Sequence, residues 1–251
     1  MIFKRVLKPN RQQKKILFVV TVVGSVFVAA VTLVHYGLAL LDNDLPLVEF
    51  KDEPSGSKFL SVPSDREYRL DNPQKTDFSR GQSKIIDELL VGRMNGFFVE
   101  VGAGDGETNS VSLFFEKERS WTGVLVEANE TKHRLAVAKN RKSHVWNFKV
   151  QLDEVTSESK NDIRPDKLLQ MINRTSIDLL IINLNGREYE FIKQIDLAKY
   201  NIRVITIELQ NDVSKEKYMA ITEAITSRGY SVAHHLINAQ LGKKDVVYLK
   251  N

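Results

Sequence analysis

Three glycines at alternate positions follow directly on a hydrophobic run, in the stretch FFVEVGAGDGETNS at residues 97–110. The run is typical of a buried strand, and a glycine turn after a strand lets the backbone approach a ligand closely. A second hydrophobic run ends in an acid, Glu127, which is placed to accept hydrogen bonds from ribose hydroxyls. The sequence therefore predicts a nucleoside-type cofactor site. Its predicted residues are Glu100, Gly102, Gly104, Gly106 and Glu127.

The spacing of the glycines separates this turn from commoner nucleotide-binding motifs. GxGxG differs from the GxGxxG of dinucleotide folds, and the Lys-Ser/Thr pair of a P-loop is absent. A nucleoside triphosphate site is therefore not expected. The alternative is a turn that serves packing alone, with Glu127 merely exposed beside it.

Few other residues suggest chemistry. Glu208 ends a later hydrophobic run and is the carboxylate best placed to act as a general base. His234 and His235 are consecutive on a predicted strand and therefore face opposite sides, which favours packing or surface roles over a metal site. The chain has no cysteine, which excludes disulfides, thiol nucleophiles and cysteine metal sites.

Alternating strands and helices must position these residues. Near-continuous apolar runs predict strands buried on both faces, so we expect a three-layer α/β sandwich around a mostly parallel sheet. The two final strands have no helix between them, which predicts one antiparallel member. The expected strands are 96–103, 121–128, 144–152, 177–184, 203–209, YSVAHHLI and DVVYLK, and the expected helices are 79–93, 110–119, 130–142, 164–172, 187–195 and 215–229.

The N-terminal part of the chain predicts a membrane anchor. Residues 16–34 are a run of 19 residues without a charge, about 28 Å long as a helix, which matches one hydrocarbon thickness. We expect a cytoplasmic basic tail at 1–15, a transmembrane signal-anchor at 16–41, a stem at 42–77 and a compact domain at 78–251. A cleaved signal peptide is the alternative, but its apolar core is usually shorter and ends in a small-residue site.

The positive charge of the chain belongs to its tail. Six basic residues and no acids lie in the first fifteen positions; removing those six from the 36 basic residues leaves 30, against 32 acidic residues. Nucleic-acid binding by the main domain is therefore not expected. Glycosylation sequons occur at Asn129 and Asn173, of which Asn173 is preferred because Asn129 lies beside the predicted ribose acid. The KNRK stretch at 139–142 is expected to be a solvated helix end.

Several stretches resemble the FkbM-type methyltransferase family, within the S-adenosylmethionine-dependent, Rossmann-like methyltransferases. They are SRGQSKIIDELL, NGFFVEVGAGDGETNSVSLFFEKERSWTGVLVEAN, IDLLIINLNGREYEFIKQID and VITIEL. The resemblance implies S-adenosylmethionine as the cofactor, in a pocket lined by Glu100, Gly102, Ala103, Gly104, Asp105, Gly106 and Glu127. It also implies a mostly parallel seven-stranded sheet with one antiparallel strand.

The most similar subgroup is that of the Star-like membrane proteins. They are associated with moving a growth-factor precursor from the endoplasmic reticulum toward the Golgi. The resemblance thus implies a single-pass type II membrane protein of the endoplasmic reticulum–Golgi secretory pathway, with a lumenal domain and a membrane-protein cargo. The alternative that it implies is an active methyltransferase acting on a sugar or small hydroxylated substrate.

The chain departs from the family at one functional position. The family usually has DVEG after its fourth strand, whereas IINLNG places Asn183 and Asn185 where the two acids would stand. Asparagine forms hydrogen bonds but cannot act as a general base. The segment between 152 and 164 is also shorter than its counterpart. Both changes weigh against catalysis more than against the fold or the cofactor pocket.

Overall fold

An eight-stranded sheet forms the centre of the computed structural model, which describes residues 59–153, 160–210, 212–238 and 243–251. The elements agree closely with the alternation of strands and helices predicted from the sequence. In chain order they are β1 (Leu60–Ser61), α1 (Gln82–Leu89), β2 (Phe97–Val101), α2 (Ser112–Arg119), β3 (Thr122–Val126), α3 (Glu130–Ala138), β4 (His144–Trp146), β5 (Lys149–Val150), β6 (Asp162–Ile163), α4 (Pro165–Met171), β7 (Ser176–Ile182), α5 (Glu188–Lys193), β8 (Asn201–Gln210), α6 (Lys215–Thr226), β9 (Tyr230–Asn238) and β10 (Lys243–Lys250).

The strand order in the main sheet is β1-β4-β3-β2-β7-β8-β10-β9. Strands β4, β3, β2, β7 and β8 are parallel, so the predicted mostly parallel sheet is confirmed. Strand β10 runs antiparallel between β8 and β9, as expected of the final pair, but the predicted single antiparallel strand is wrong because β1 also pairs antiparallel with β4. The predicted number of seven strands is wrong. Leu60 and Ser61 add an eighth, antiparallel strand at the edge of β4, and two residues are too few to show the alternation by which a strand is predicted.

Helices cover both faces of this sheet. On one face, α1, α2 and α3 enclose a continuous core that includes Ile86, Phe115, Trp121 and Leu125. On the other face, Thr222 of α6 lies 3.1 Å from the hydroxyl of Tyr248 on β10, and α5 packs beside α6. Strand β2 is buried along its whole length, which explains why its sequence is a near-continuous apolar run. The expected three-layer arrangement is therefore present.

The predicted strand 144–152 is wrong as a single element. Strand β4 ends at Trp146, and β5 pairs instead with β6 in a small parallel sheet of two strands. The break is at Asn147, whose side-chain amide donates to the carbonyl of Glu127 at 2.8 Å and whose backbone N–H donates to the carbonyl of Phe59 at 2.7 Å. These bonds turn the chain away from the main sheet.

The segment 59–77, which belongs to the stretch expected to be a stem, lies along the domain. We call it the strap. The backbone N–H of Ser64 donates to the carbonyl of Arg141, and that of Arg69 donates to the carbonyl of Lys139, both at 2.9 Å. The Nδ2 of Asn140 donates to the carbonyl of Glu67 at 2.9 Å. The strap is thus fixed along residues 139–142 by successive hydrogen bonds.

The expectation that residues 139–142 form a solvated helix end is wrong. Helix α3 stops at Ala138, and the side chains of Lys139 and Arg141 are 8% and 0% exposed. Arg141 donates from Nε to Glu116 at 3.0 Å, from Nη2 to Ser112 at 2.9 Å, and from Nη1 to the carbonyl of Gly106. Buried cations need such partners, and a charge run alone does not reveal partners that lie elsewhere in the sequence.

The predicted cytoplasmic tail, the predicted anchor at 16–41 and most of the predicted stem lie outside the described residues. Within the described ranges, no helix has both the length and the apolar character needed to cross a bilayer.

Replacing Arg141 should test how strongly the domain depends on its buried network. We expect Arg141→Met to lower the free energy of unfolding by about 3–5 kcal/mol, because it leaves the carboxylate of Glu116 buried without its charge partner. The exposed pair of Arg134 and Glu130 offers a matched control, and Arg134→Met should change the free energy by less than about 0.5 kcal/mol. Urea denaturation of the full-length chain measures both. Equal effects would contradict this account.

Candidate functional site

A cleft of about 480 Å³ opens at the carboxyl ends of β2, β3, β7 and β8. The chain leaves β2 toward β3 on one side and reaches β7 on the other, so the cleft lies at the topological switch point where α/β folds bind ligands. We distinguish two ends. The glycine end contains Gly102, Gly104, Asp105, Glu127, Lys132 and Leu135, and the asparagine end contains Arg80, Gln82, Asn183, Asn185, Thr206 and Glu208.

The three glycines of the turn all have positive φ but serve different purposes. At Gly102 a Cβ would lie 1.9 Å from the carbonyl oxygen of Asn183, so this glycine is required where β2 passes the end of β7. At Gly106 a Cβ would lie 3.0 Å from Ala136, so this glycine allows α3 to approach. At Gly104 no atom lies within 4 Å of the Cβ position. The open side of the turn is therefore at Gly104.

Glu127 lies beside this open position, as the sequence predicts. Its Oε2 accepts the backbone N–H of Gly104 at 2.8 Å, and its Oε1 accepts the backbone N–H of Asn129 at 2.8 Å. Its own N–H donates to the carbonyl of Trp146 at 3.0 Å, which fixes the start of the loop after β3. The alternative of a merely exposed Glu127 does not hold, because its side chain is buried and bonded to the glycine turn.

Glu100 lies deeper than the other predicted site residues. Its carboxylate accepts hydrogen bonds from Ser110, the backbone N–H of Val111, and Ser112, which open helix α2. Burial raises the pKa of Glu100, and the nearby charge of Arg141 and the two serine hydroxyls oppose that rise without cancelling it. Glu100 lines the cleft, but its oxygens are occupied by the turn behind it.

Asp105 and Glu107 stabilise the turn itself. Asp105 accepts the backbone N–H groups of Glu107 and Thr108 at 2.9 and 2.7 Å. Glu107 accepts the N–H groups of Asp71 and Asn72 at 2.8 Å each and pairs with Lys139 at 2.8 Å. Burial raises the pKa of Glu107, but these bonds outweigh burial and leave it below the ordinary value. The glycine turn is thus tied to the strap.

Asn183 stands at the end of β7 and Asn185 two positions later. The backbone N–H of Asn183 donates to the carbonyl of Val101 at 2.9 Å, which holds it beside the glycine turn. Its side-chain Oδ1 is buried and has no hydrogen-bond partner. Asn185 is exposed and adopts φ 51°, a left-handed conformation that asparagine tolerates better than most residues. The structure therefore brings both asparagines to the same cleft as the glycines.

Glu208, the candidate base, is engaged in an ion pair. The Nη2 of Arg80 donates to its Oε2 at 3.1 Å across the asparagine end. Arg80 has φ 61° and is followed by Gly81 at φ 96°. The carboxylate of Asp77 holds this strained turn by accepting the N–H groups of Ser79 and Gly81 at 2.8 and 2.5 Å.

Sequence reasoning missed Arg80, Gln82 and Thr206 as cleft residues. Gln82 donates to Thr206 at 2.8 Å and so joins the start of α1 to β8. The stretch SRGQSK carried a usable signal, since an Arg-Gly pair at a helix start indicates a strained turn that displays the arginine. No sequence pattern indicates that β8 lies opposite α1.

The remaining candidates lie outside the cleft. Asn129 is exposed and accepts the N–H of Lys132 at 3.0 Å as the cap of α3, and Asn173 is exposed just after α4. His235 contacts the hydroxyl of Tyr218 at 2.7 Å, while His234 points to the other face of β9. In the described part of the chain, no group of three metal-ligating side chains occurs.

Two glycine replacements should separate close packing from open space. We expect Gly102→Ala to destabilise the chain by several kcal/mol more than Gly104→Ala, because only the first places a Cβ against backbone. Both positions have positive φ, so the strain of about 1–2 kcal/mol is common to the two variants. Thermal denaturation of both full-length variants measures the difference. A smaller decrease in the melting temperature for Gly102→Ala than for Gly104→Ala would contradict the geometry.

Comparison with known proteins bears on the fold. No protein-family model and no curated protein matches the chain. Solved structures do match: the methyltransferase domain of METTL16 aligns with a TM-score of 0.50 at 11% identity, over 70% of this chain and 68% of that chain.

Two further solved structures align less well. A methyltransferase from Pyrococcus furiosus has a TM-score of 0.46 at 14% identity, over 75% of this chain and 89% of its own. A TehB-like SAM-dependent methyltransferase from Corynebacterium glutamicum has a TM-score of 0.44 at 10% identity, over 68% and 88%. At such identities likeness indicates fold alone. The similarity to the METTL16 domain and the strand order of the sheet together show that the chain has the Rossmann-like α/β fold of methyltransferases.

Proposed function

We propose that this domain binds S-adenosylmethionine in the cleft and transfers its methyl group to a small acceptor. The observation that carries the proposal is the bond between Glu127 and the N–H of Gly104, which places a carboxylate beside the open side of the glycine turn. A nucleoside with a ribose diol suits such a pair of features. The fold, shared with methyltransferases, agrees with this cofactor.

The residues at the glycine end fit the cofactor. Each oxygen of Glu127 accepts one backbone N–H and has capacity for one more donor, such as a ribose hydroxyl. Gly104 leaves room for close approach, and Leu135 offers an apolar contact. When bound, the cofactor supplies a methyl group on a positively charged sulfur.

The charge of the cleft suits a cationic ligand. Four acidic and two basic side chains line it. They are Glu100, Asp105, Glu127, Glu208, Arg80 and Lys132. Leaving aside Glu100, whose pKa is raised by burial, three acids still stand against two basic side chains. This excess of negative charge favours a sulfonium and disfavours a polyanionic acceptor such as nucleic acid.

Replacing Glu127 by glutamine tests the cofactor site. We expect wild-type chain to bind S-adenosylhomocysteine, and Glu127→Gln to weaken binding about tenfold or more, because the amide loses one acceptor oxygen for the ribose. Titration calorimetry of the full-length chain measures both affinities.

Glu130→Gln is the matched control, since this glutamate is exposed and pairs only with Arg134 among the described residues. It should bind as wild type does. No binding of S-adenosylhomocysteine to wild type at millimolar concentration would refute the proposed function.

A second candidate function rests on the asparagine end. Asn183 and Asn185 supply no carboxylate there, and Glu208 is bonded to Arg80. These features favour a binding module that keeps the methyltransferase fold without its reaction. We therefore propose, as the alternative, an FkbM-type, Star-like membrane protein that acts in transport of a membrane cargo from the endoplasmic reticulum to the Golgi. The test compares how fast a growth-factor precursor gains Golgi-type glycans in cells with and without the chain. Equal rates would contradict this alternative.

Glycosylation tests the orientation of the domain. The predicted anchor places the domain in the lumen, and both candidate functions assume this orientation. Asn173 is exposed just after α4. We expect the full-length chain in secretory cells to show a glycosidase-sensitive mobility shift that Asn173→Gln removes. Thr175→Ala, which breaks the same sequon without changing the asparagine, is the control and should remove it as well. A domain that carries no glycan at all would argue against the lumenal orientation.

A further inference from the structure

Two buried side-chain atoms of the described cleft residues have no hydrogen-bond partner, Oδ1 of Asn183 and Nε of Arg80. Both belong to the asparagine end. A buried polar atom without a partner is unfavourable, so a ligand that supplies the partner gains affinity by doing so. The asparagine end therefore offers a ligand one unpaired acceptor, at Asn183, and one unpaired donor, at Arg80.

Gln82, Thr206 and the Nη2 of Arg80 already have partners, whereas the Nε of Arg80 has none. Gln82 donates to Thr206, and Thr206 donates to the carbonyl of Val246 at 3.4 Å. Arg80 donates to Glu208. Asn183 is thus the described cleft residue whose buried oxygen awaits a donor. Asn183 itself lines the cleft, so a ligand bound there lies beside this residue.

The position of Asn183 is where two reactants would meet. It follows β7, and its backbone is held against Val101 and Gly102 of the glycine turn. A donor bound at the glycine end and an acceptor bound beside Thr206 and Glu208 would both reach it.

The chemistry of this end suits a nitrogen nucleophile better than a hydroxyl. A hydroxyl needs a base to take its proton as it attacks. Neither asparagine can do so, and the carboxylate of Glu208 is paired with Arg80. A neutral amine attacks with its own lone pair. The new N–C bond forms as the S–C bond breaks, the electron pair returns to sulfur to give a neutral thioether, and the amine proton leaves to water.

We propose that Oδ1 of Asn183 accepts an N–H from the acceptor substrate at the point of methyl transfer, and that the acceptor is an amine. This inference rests on the proposed function. It departs from the hydroxylated substrate that the family resemblance implies.

Sinefungin tests the position of the N–H acceptor without a known substrate. This analogue carries an amine where S-adenosylmethionine carries its methyl group. We expect wild-type chain to prefer sinefungin over S-adenosylhomocysteine, and Asn183→Leu to reduce that preference about tenfold, which is the loss of one hydrogen bond to a charged donor. The ratio of the two affinities is insensitive to a general loss of structure, because both ligands share the rest of the site.

Two variants sharpen the result. Asn183→Asp should keep or increase the preference, since a carboxylate is a stronger acceptor. Asn95→Gly should leave it unchanged, because that asparagine is exposed, lies outside the cleft residues and has a left-handed backbone that glycine retains. A preference that is absent in wild type, or unchanged in Asn183→Leu, overturns the inference while binding of S-adenosylhomocysteine leaves the proposed function standing.

A labelled cofactor identifies the substrate class. The full-length chain is incubated with a secretory-membrane extract and S-adenosylmethionine bearing a ¹³C methyl group, and the carbon chemical shift of the product separates N-methyl from O-methyl. An N-methyl product supports the inference, and an O-methyl product overturns it. No transfer at all, despite binding of S-adenosylhomocysteine, contradicts the proposed reaction and the inference with it.

Discussion

The glycine turn depends on one buried guanidinium. Arg141 reaches it from behind, donating to the carbonyl of Gly106, to Ser112 at the start of α2 and to Glu116 within α2. A turn with positive φ at alternate positions has little regular hydrogen bonding of its own, so it needs fixed partners to keep one conformation. Arg141 supplies them at full burial, and its fork of donors suits several acceptors at once. Without it, the carbonyl of Gly106 and the hydroxyl of Ser112 would lose the donor that they share.

The local pattern of apolar residues predicted the fold well, because the residues of each strand and helix largely determine that element. The apolar runs before Gly102 and Glu127, and the uninterrupted run of β7, required strands buried on both faces. The predicted neighbourhood of Gly104 and Glu127 follows from the same logic, since parallel neighbouring strands end at one edge of the sheet. Their role in holding a cofactor stays a prediction.

What the sequence did not reveal depends on distant pairs. Arg141 with Glu116, Lys139 with Glu107, and Arg80 with Glu208 each join residues more than twenty positions apart. Charge alone cannot distinguish a solvated lysine from a buried one whose partner lies on another element. The two-residue strand β1 and the break at Asn147 were not predicted for a related reason. Both are determined by hydrogen bonds to other segments of the chain and not by periodicity of the sequence.

The two ends of the cleft differ in how firmly they are built. Backbone bonds fix the glycine end, where Glu127, Asp105 and Glu107 all accept N–H groups. The asparagine end rests on side chains, with a strained arginine and a buried oxygen that lacks a donor. A preorganised half suits a common cofactor, and a half with unmet hydrogen-bonding capacity suits a selective partner. In the proposed function, the glycine end would hold the cofactor and the asparagine end the acceptor substrate.

The strap carries a practical consequence for the choice of a soluble fragment. A chain begun at residue 78 would remove the backbone donors of Asp71 and Asn72 from Glu107 and the carboxylate of Asp71 from Lys139. It would also expose the edge of β4, which Leu60 and Ser61 now cover, and uncovered edges invite association between molecules. A recombinant fragment should therefore begin before residue 59, so that β1 still covers the edge of β4 and the strap still donates to Glu107 of the glycine turn.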